Sequence, residues 1–464
     1  MQIRHKIKTL LVFSLIISCV YATAQKKNDV IVFSGVISNK IDDQIKIYDF
    51  QNQIVSEIKV SPQGKFAETL KLKDGFYTLK YEDASSKMFL ESGSNLNVSF
   101  DAKDLKKSLK FSGKGGAVNS YIQKKSSKNW GIAEDLKIRY GLSETDFKRM
   151  MTKAKTSKDS LLLSQVGISE NFKNKEKRNI NYEYINEMIK YESDPAHYTA
   201  NPDFKVSADF LPELKTFDYD NSDDFYFSNS YKNIVLGHYR RLGKELAERD
   251  KHDNYYLSYI TAVSRAKNQD IKNILLYEHA KNAIAYTSDV QEYYKIYINS
   301  STDQANNKVI SQIYEKLLPI SKGNMSPKFV GYDSYSGDKV SLDDLKGKYI
   351  YIDVWATWCG PCKVEIPHLG KIEEEYKGKN IQFLSISIDK RADIEKWKKM
   401  INDKKMGGIQ VIADNAWDSK FIQDYFIKGI PRFILIDPQG KIISSNAPRP
   451  SEAKLRDLLN GLNI

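Results

Sequence analysis

No segment constrains this chain more than Trp355-Ala356-Thr357-Trp358-Cys359-Gly360-Pro361-Cys362-Lys363. Two cysteines three positions apart stand where an apolar strand-like run, Lys348 to Val354, gives way to a helical pattern. That spacing puts both sulfurs within one helical turn, close enough to open and close a disulfide without moving the backbone. The first sulfur would lie over the helix N-terminus, where unpaired N–H groups and the dipole favour a thiolate. A thiolate is the species that attacks disulfides, so the segment reads as a redox-active dithiol. A structural zinc site would need about four ligands, and the chain offers no second cysteine pair. A purely structural disulfide across so short a loop would remove little entropy from the unfolded chain.

At 464 residues the chain is too long for one core, and two or three domains are expected. Residues 1–24 read as a signal peptide. Arg4, Lys6 and Lys8 precede an apolar stretch from Leu10 to Val20, and Ala22-Thr23-Ala24 forms a small-x-small cleavage site before Gln25. The apolar stretch is short for a membrane span and no later segment reaches spanning length, so export to the periplasm is expected. Ile16-Ile17-Ser18-Cys19 loosely resembles a bacterial lipoprotein box, with Ile16 where leucine is usual. A lipid on Cys19 would tether the protein at a membrane face; a cysteine inside an ordinary signal peptide is the plainer reading. Cleavage after Ala24 would leave Cys359 and Cys362 with no third thiol to mispair in an oxidising compartment.

The net charge of +12 is spread along the chain. Its densest patch, Lys173-Asn174-Lys175-Glu176-Lys177-Arg178, is interrupted by an acid and reads as a solvated helix face. No nucleic-acid motif accompanies it, so binding of nucleic acid is not expected.

Four regions follow from the pattern: the signal peptide, a β-rich region over 28–114, an all-helical region over 117–320, and an alternating α/β region over 325–464. In the first of the folded regions Gln44-Ile45-Lys46-Ile47-Tyr48 alternates apolar with polar, and Ser61-Pro62-Gln63-Gly64 marks a turn. Asp74-Gly75 reads as a hairpin between Leu70-Lys71-Leu72 and Phe76-Tyr77-Thr78-Leu79. Short strands at this spacing suggest a small antiparallel β-sandwich. Gly113-Lys114-Gly115-Gly116 lacks the spacing of a phosphate loop and reads as a linker.

From Glu213 to Leu318 there is no proline, and Val309, Ile310, Ile313, Tyr314 and Leu317 form a buried helical stripe ended by Pro319. The many tyrosines here read as packing residues and not as a cofactor box. Asp218-Tyr219-Asp220-Asn221-Ser222-Asp223 starts like a calcium loop but lacks the sixth-position glycine, and Asn229 stands where the bidentate glutamate is needed. His197, His238, His252 and His279 are scattered without metal-ligand spacing. Neither a metal site nor a cofactor is read from the chain.

In the last region Ile381 to Ile388 is a second strand, and helices are expected over Cys362–Tyr376, Ala392–Lys404 and Ser451–Leu459. Arg432 to Ile436 and Lys441 to Ile443 form a hairpin about Asp437-Pro438-Gln439-Gly440. This portion, about 325–464, resembles the thioredoxin superfamily, and within it the TlpA/ResA type of exported thiol–disulfide oxidoreductase. The motifs are the lead-in Val340 to Lys348, the core Trp355 to Lys363, Glu365-Ile366-Pro367, and Gly429-Ile430-Pro431. The regions before it are similar to accessory parts of exported thioredoxin-like proteins, a likeness that carries no chemistry.

Cys359, at the helix start after a loop, is expected to be the exposed nucleophile, with Cys362 one turn inside as the shielded resolving thiol. The resemblance implies a buried acid at Asp353, six residues before Cys359, whose raised pKa would let it take the proton of Cys362. It also implies a glutamate at Glu365 that tunes the thiols or contacts substrate, with an exposed helix carboxylate as the alternative. Pro431 resembles a cis-proline facing the dithiol, where the backbone after Ile430 can pair with an extended substrate strand. Trp355 and Trp358 would shape the apolar surface beside the Cys359 sulfur, with an ordinary core aromatic as the alternative for Trp355, and Trp358, Gly360 and Pro361 are expected to face the substrate. Lys363 and His368 read as surface residues.

The expected partners are proteins bearing disulfides and a membrane-bound thiol reductase that supplies electrons. The Gly360-Pro361 pair resembles that of reducing thioredoxins, which points to a reductant of exported thiols, for example apocytochrome cysteines awaiting haem. An oxidant or isomerase using the same sulfurs remains open, as does a surface-partner binding module carrying an auxiliary redox domain. A peroxidase is disfavoured, because the Pro-x-x-x-Thr-x-x-Cys setting is missing.

Overall fold

The computed structural model describes residues 30–50, 52–193, 198, 203–250, 254–462 and 464. The expected signal peptide with its cleavage site, Cys19, His197 and His252 lie outside the described residues. The chain forms two compact units, Met1–Asn181 and Tyr182–Ile464. Among the described residues no helix is long and apolar enough to cross a membrane.

The first unit contains two four-stranded sheets. One runs in the order β4 (Lys65–Leu70), β1 (Ile31–Ser38), β7 (Asn95–Asp101), β8 (Lys110–Lys114). The other runs β3 (Ile54–Lys59), β2 (Gln44–Tyr48), β5 (Gly75–Tyr81), β6 (Ala84–Leu90). Alternation along β2 and β7 turns Ile45, Ile47, Leu96, Val98 and Phe100 inward, where they share a core with Ile31, Phe33, Leu79 and Tyr81.

Two expectations need correction here. The strands are not all antiparallel, because β1 and β7 pair in parallel from Val32↔Asn95 to Ser38↔Asp101. The chain threads the whole second sheet between them, a connection long enough to return in the same direction. Asp74-Gly75 does not close a hairpin: β4 pairs with β1, whereas β5 pairs with β2 and β6. The Asp74 carboxylate instead accepts the Ser92 N–H at 2.7 Å.

Helix Gly116–Ser127 is pinned to the sheet edge by Asn119, whose side chain accepts from Phe89 N at 2.8 Å and donates to Phe89 O at 2.9 Å. The basic patch in helix Glu170–Ser193 is not a wholly solvated face. Lys177 and Arg178 are exposed, but Glu176 turns inward and accepts from the Tyr121 hydroxyl at 2.9 Å and Lys125 Nζ at 2.6 Å. The intervening acid is the inward-facing position of that stretch.

The second unit opens with helices Ser222–Phe227, Asn229–Arg249, Tyr255–Ser264, Gln269–Ala283, Val290–Ser300 and Gln304–Leu317. The last five begin on Ser228, Asn254, Asn268, Asp289 and Asp303, each of whose side chains accepts an N–H of the first turn. Tyr231, Tyr293 and Tyr297 are fully buried with Ile260, Leu275 and Ile310, so these tyrosines pack the core. In the expected stripe Ile310 and Leu317 are buried while Val309 is 39% exposed, at the margin of the face.

A seven-stranded mixed sheet follows, in the order β10 (Lys339–Val340), β9 (Tyr332–Ser334), β13 (Ile409–Ile412), β12 (Ile381–Ser387), β11 (Tyr349–Trp355), β14 (Arg432–Ile436), β15 (Ile442–Ser444). β11 pairs in parallel with β12 and antiparallel with β14, and all but its first residue are buried, as a central strand requires. Ile350, Ile352 and Val354 face one core, which is continuous with that of the preceding helices. Tyr351 faces the other, with Leu369, Ile372, Phe433 and Leu455.

Candidate active site

The end of β11 and the start of helix Gly360–Glu375 together make the site. Cys359 is the cap of that helix: its N–H donates to Ala356 O at 3.1 Å, and its Sγ accepts the Cys362 N–H at 3.1 Å. Pro361 sits in the first turn, where a missing N–H costs nothing and a fixed φ favours the helix. The two sulfurs are joined in a disulfide.

Cys359 is 4% exposed and Cys362 2%, so the expected contrast between an exposed and a shielded sulfur is absent in this joined state. Both sulfurs pack into the core that contains Trp355, Ala356 and Ile366. The rim around them is open: Gly360 and Pro361 are exposed, Trp358 is 57% exposed and Val364 62%. The Trp358 ring lies 6.4 Å from that of Trp417, between centroids. Trp355, by contrast, is a core residue with no exposure.

Period-2 alternation puts Asp353 on the same side of β11 as Tyr351. Its carboxyl is buried and its Oδ1 has no hydrogen-bond partner. Burial, reinforced by the charges of Glu365 and Glu373, pushes it from an ordinary 3.8 up to about 8. Glu365 is buried too, not an exposed helix carboxylate. It accepts from Ser451 N at 3.0 Å and Ser451 Oγ at 2.9 Å, with Arg449 Nη1 at 3.8 Å.

Glu373 was not singled out from the sequence. It lies eight residues beyond Glu365, on the same helix face, and burial pushes its carboxyl up to about 7. It packs so closely on the Gly407-Gly408 backbone that a Cβ at Gly407 would collide with its Oε2. The helical period carried that signal.

A second unpredicted carboxylate secures the loop before Cys359. Asp389, 1% exposed just past β12, accepts from Thr357 N at 2.9 Å, Thr357 Oγ1 at 2.7 Å and Ser387 Oγ at 2.7 Å.

The Ile430–Pro431 peptide is cis, and both residues are half-buried. The next residue, Arg432, is buried; its Nε donates to Ser445 O at 2.8 Å and its Nη2 to Ala285 O at 2.9 Å. The guanidinium lies 5.0 Å from the Tyr286 ring centroid, and burial lowers it to about 10 against the raising influence of Tyr286, Tyr256 and Tyr425. Asn446 Nδ2 donates to Tyr286 O at 2.7 Å. A Cβ on Gly429 would stand 3.2 Å from the Tyr286 hydroxyl.

Lys363 is exposed and His368 half-buried. His238 stacks on Tyr219 with 3.8 Å between ring centroids, in the wall of a cavity of about 620 Å³, and His279 Nδ1 lies 2.7 Å from the Tyr293 hydroxyl. Among the described residues no group of three or more His, Cys, Asp or Glu side chains is arranged to hold a metal ion. What the site offers is a cysteine pair joined at a helix N-terminus, a buried protonatable carboxyl at Asp353 on the preceding strand, and an exposed rim at Trp358, Gly360, Pro361 and Val364.

The protein-family model for Redoxin matches residues 321–461. The thiol-disulfide oxidoreductase ResA of Bacillus subtilis is 29% identical over 141 residues, which cover 30% of this chain and 75% of that protein. Its namesake in Bacillus thuringiensis is 31% identical over 137 residues, covering 30% of this chain and 76% of that protein. Among solved structures, the thioredoxin domain of a thiol-disulfide oxidoreductase from Bacteroides vulgatus is 32% identical. That match covers 31% of this chain and 99% of that one, with a TM-score of 0.28.

Proposed function

Because the chain belongs, through its C-terminal third, to the thioredoxin-like thiol–disulfide oxidoreductases of the ResA type, we propose that it reduces disulfides of exported client proteins. Apocytochrome cysteines are one such client class. The observation that carries the reading is the Asp353 carboxyl, buried without a partner for Oδ1 and held protonatable near neutral pH.

Cys359, as thiolate, attacks one sulfur of a client disulfide, and the other client sulfur leaves as a thiolate. Asp353 takes the proton of Cys362, whose sulfur then attacks Cys359 Sγ and releases the second client thiol. The enzyme is left with the Cys359–Cys362 disulfide, and two electrons from a membrane-bound thiol donor return it to the dithiol. Glu365 steadies the segment at Ser451 and biases Asp353 toward its protonated form through its charge. Trp358, Gly360 and Pro361 present the apolar rim, and the backbone at Ile430 and Pro431 receives the client strand.

Export by a signal peptide over 1–24, residence in the periplasm with a lipid on Cys19 as the alternative, and the division into 28–114, 117–320 and 325–464 belong to the same proposal. So does a sandwich arrangement of the N-terminal sheets. The test is the reduction potential of the cysteine pair in defined thiol buffers. A value toward the thioredoxin end, about −270 mV, supports a reductant, and one near the DsbA value of about −120 mV overturns it in favour of an oxidant. Cys359→Ser must also abolish reduction of insulin by dithiothreitol above the uncatalysed rate.

A further inference from the structure

We propose that Tyr286, a residue of the helical region and not of the redox domain, is a specificity-determining residue that hydrogen-bonds the client polypeptide at the cis-proline loop. This rests on the reading of Ile430 and Pro431 as the backbone that receives the client strand.

Tyr286 ends the short 3-10 turn Ile284–Tyr286, beyond helix Gln269–Ala283. Ile284 is fully buried in the core that the helices share with the redox sheet, so the turn is fixed relative to the dithiol. Two further ties bracket it. Arg432, immediately after the cis-proline, donates to Ala285 O at 2.9 Å and lies against one face of the Tyr286 ring, while Asn446 donates to Tyr286 O at 2.7 Å. A guanidinium with so little exposure stays where carbonyl partners hold it, so these contacts position the tyrosine firmly.

The consequence is the place of the phenol. Its hydroxyl abuts Gly429, the residue before Ile430, at a point where even a methyl group on the glycine would come within 3.2 Å. Tyr286 as a whole is only partly buried. A strand laid along Ile430 and leaving the loop on the Gly429 side would pass the hydroxyl. A phenol both donates and accepts, so it can pair with a peptide group of the client whatever the side chain there. Trp358 borders the dithiol from the loop that leads into Cys359, and Tyr286 borders the cis-proline from the helical region. The helices thus contribute directly to client recognition and do not act only as a spacer.

The experiment compares the full-length protein with Tyr286→Phe and Tyr286→Ala on two disulfides. One is insulin, a polypeptide; the other is 5,5′-dithiobis(2-nitrobenzoate), which has no peptide group to meet the phenol. Tyr286→Phe keeps the ring against Arg432, and so protects the fold, while deleting the hydroxyl. The expected result is a fall in kcat/KM for insulin of about fivefold, the worth of one hydrogen bond, carried in KM. The rate with the small disulfide and the reduction potential stay at wild-type values, and Tyr286→Ala deepens the loss for insulin alone. An unchanged insulin rate in Tyr286→Phe overturns the proposal, as does an equal fall for both disulfides, which would mark a merely structural role. A wild-type protein inactive on both disulfides would overturn the reductase reading first, and this one with it.

Discussion

Asp389 holds Thr357 by both its backbone N–H, at 2.9 Å, and its hydroxyl, at 2.7 Å, two residues before Cys359. The carboxylate is 1% exposed and also takes a bond from Ser387. Every oxygen of this group is thus committed to fixing one loop against the end of β12. Asp389→Asn replaces the charged acceptor with a neutral amide whose NH₂ forces the Thr357 hydroxyl to turn from donor to acceptor, at a cost of about 1–3 kcal/mol. The expected outcome is a loss of stability of that size by denaturant titration. A fall in kcat/KM for insulin of about tenfold should accompany it, with Thr357→Val showing a milder version of both. Wild-type kinetics in a folded Asp389→Asn protein would show that the loop is held by other means.

The dithiol, Asp353, Glu365 and Pro431 stand in continuous motifs, and the strands and helices around them were legible because each is long and strongly patterned. The clamp by Asp389 was not. Its partner is 32 residues away, and only the parallel register of β11 and β12 brings them together. Strands β9, β10 and β13 escaped because two to four residues are too few to show a period. The failed hairpin at Asp74-Gly75 has the same root: local turn chemistry was right for a reversal, but which strand pairs with which is settled across the whole sheet. Glu365 could be placed on its helix from the sequence, yet its burial depends on Ser451, 86 residues on.

Asp353 should make stability fall as pH rises. Its pKa is near 3.8 when unfolded and about 8 when folded, so the folded chain binds the extra proton between those values. The stabilising contribution is therefore complete below about pH 4 and is lost progressively up to about pH 8. Asp353→Asn removes the penalty of a buried charge: the variant should be more stable than wild type at pH 8, by up to roughly 5 kcal/mol, and indistinguishable near pH 4. The same variant should slow release of the mixed disulfide, because Cys362 loses its proton acceptor. Denaturant midpoints measured across this range check the first claim, and single-turnover trapping of the client adduct checks the second. Parallel pH profiles for the two proteins would remove Asp353 as the titrating group.

Arg432→Ala should separate the cis-proline loop from the helices. Ser445 O and Ala285 O, both part-buried, lose the Arg432 donor, and Tyr286 loses its cation. A destabilisation of about 2–4 kcal/mol is expected by chemical denaturation. Faster amide exchange confined to residues around 284–286 and 429–432 should accompany it. A change below about 0.5 kcal/mol would show that the core alone joins the helices to the sheet.

His279 should impose the opposite pH dependence from Asp353, within the acid half of the same range. Burial, with the nearby positive charge of Arg240, lowers the imidazole from 6.5 to about 4 in the folded chain. The ring packs 4.1 Å from that of Tyr259, between centroids, and pairs through Nδ1 with the Tyr293 hydroxyl, so the neutral form is the one that fits. Between pH 6.5 and 4 the unfolded chain takes up a proton that the folded chain refuses. Stability is therefore full above pH 6.5 and falls as pH drops toward 4, by on the order of 2–3 kcal/mol. His279→Gln, which cannot titrate, should lose stability at neutral pH through poorer packing but show a flatter acid limb. Wild type and variant should accordingly converge as pH falls from 6.5 to 4.5. Denaturant titrations at those two values test this, and a gap between the two proteins that stays constant would rule His279 out as the source of the acid sensitivity.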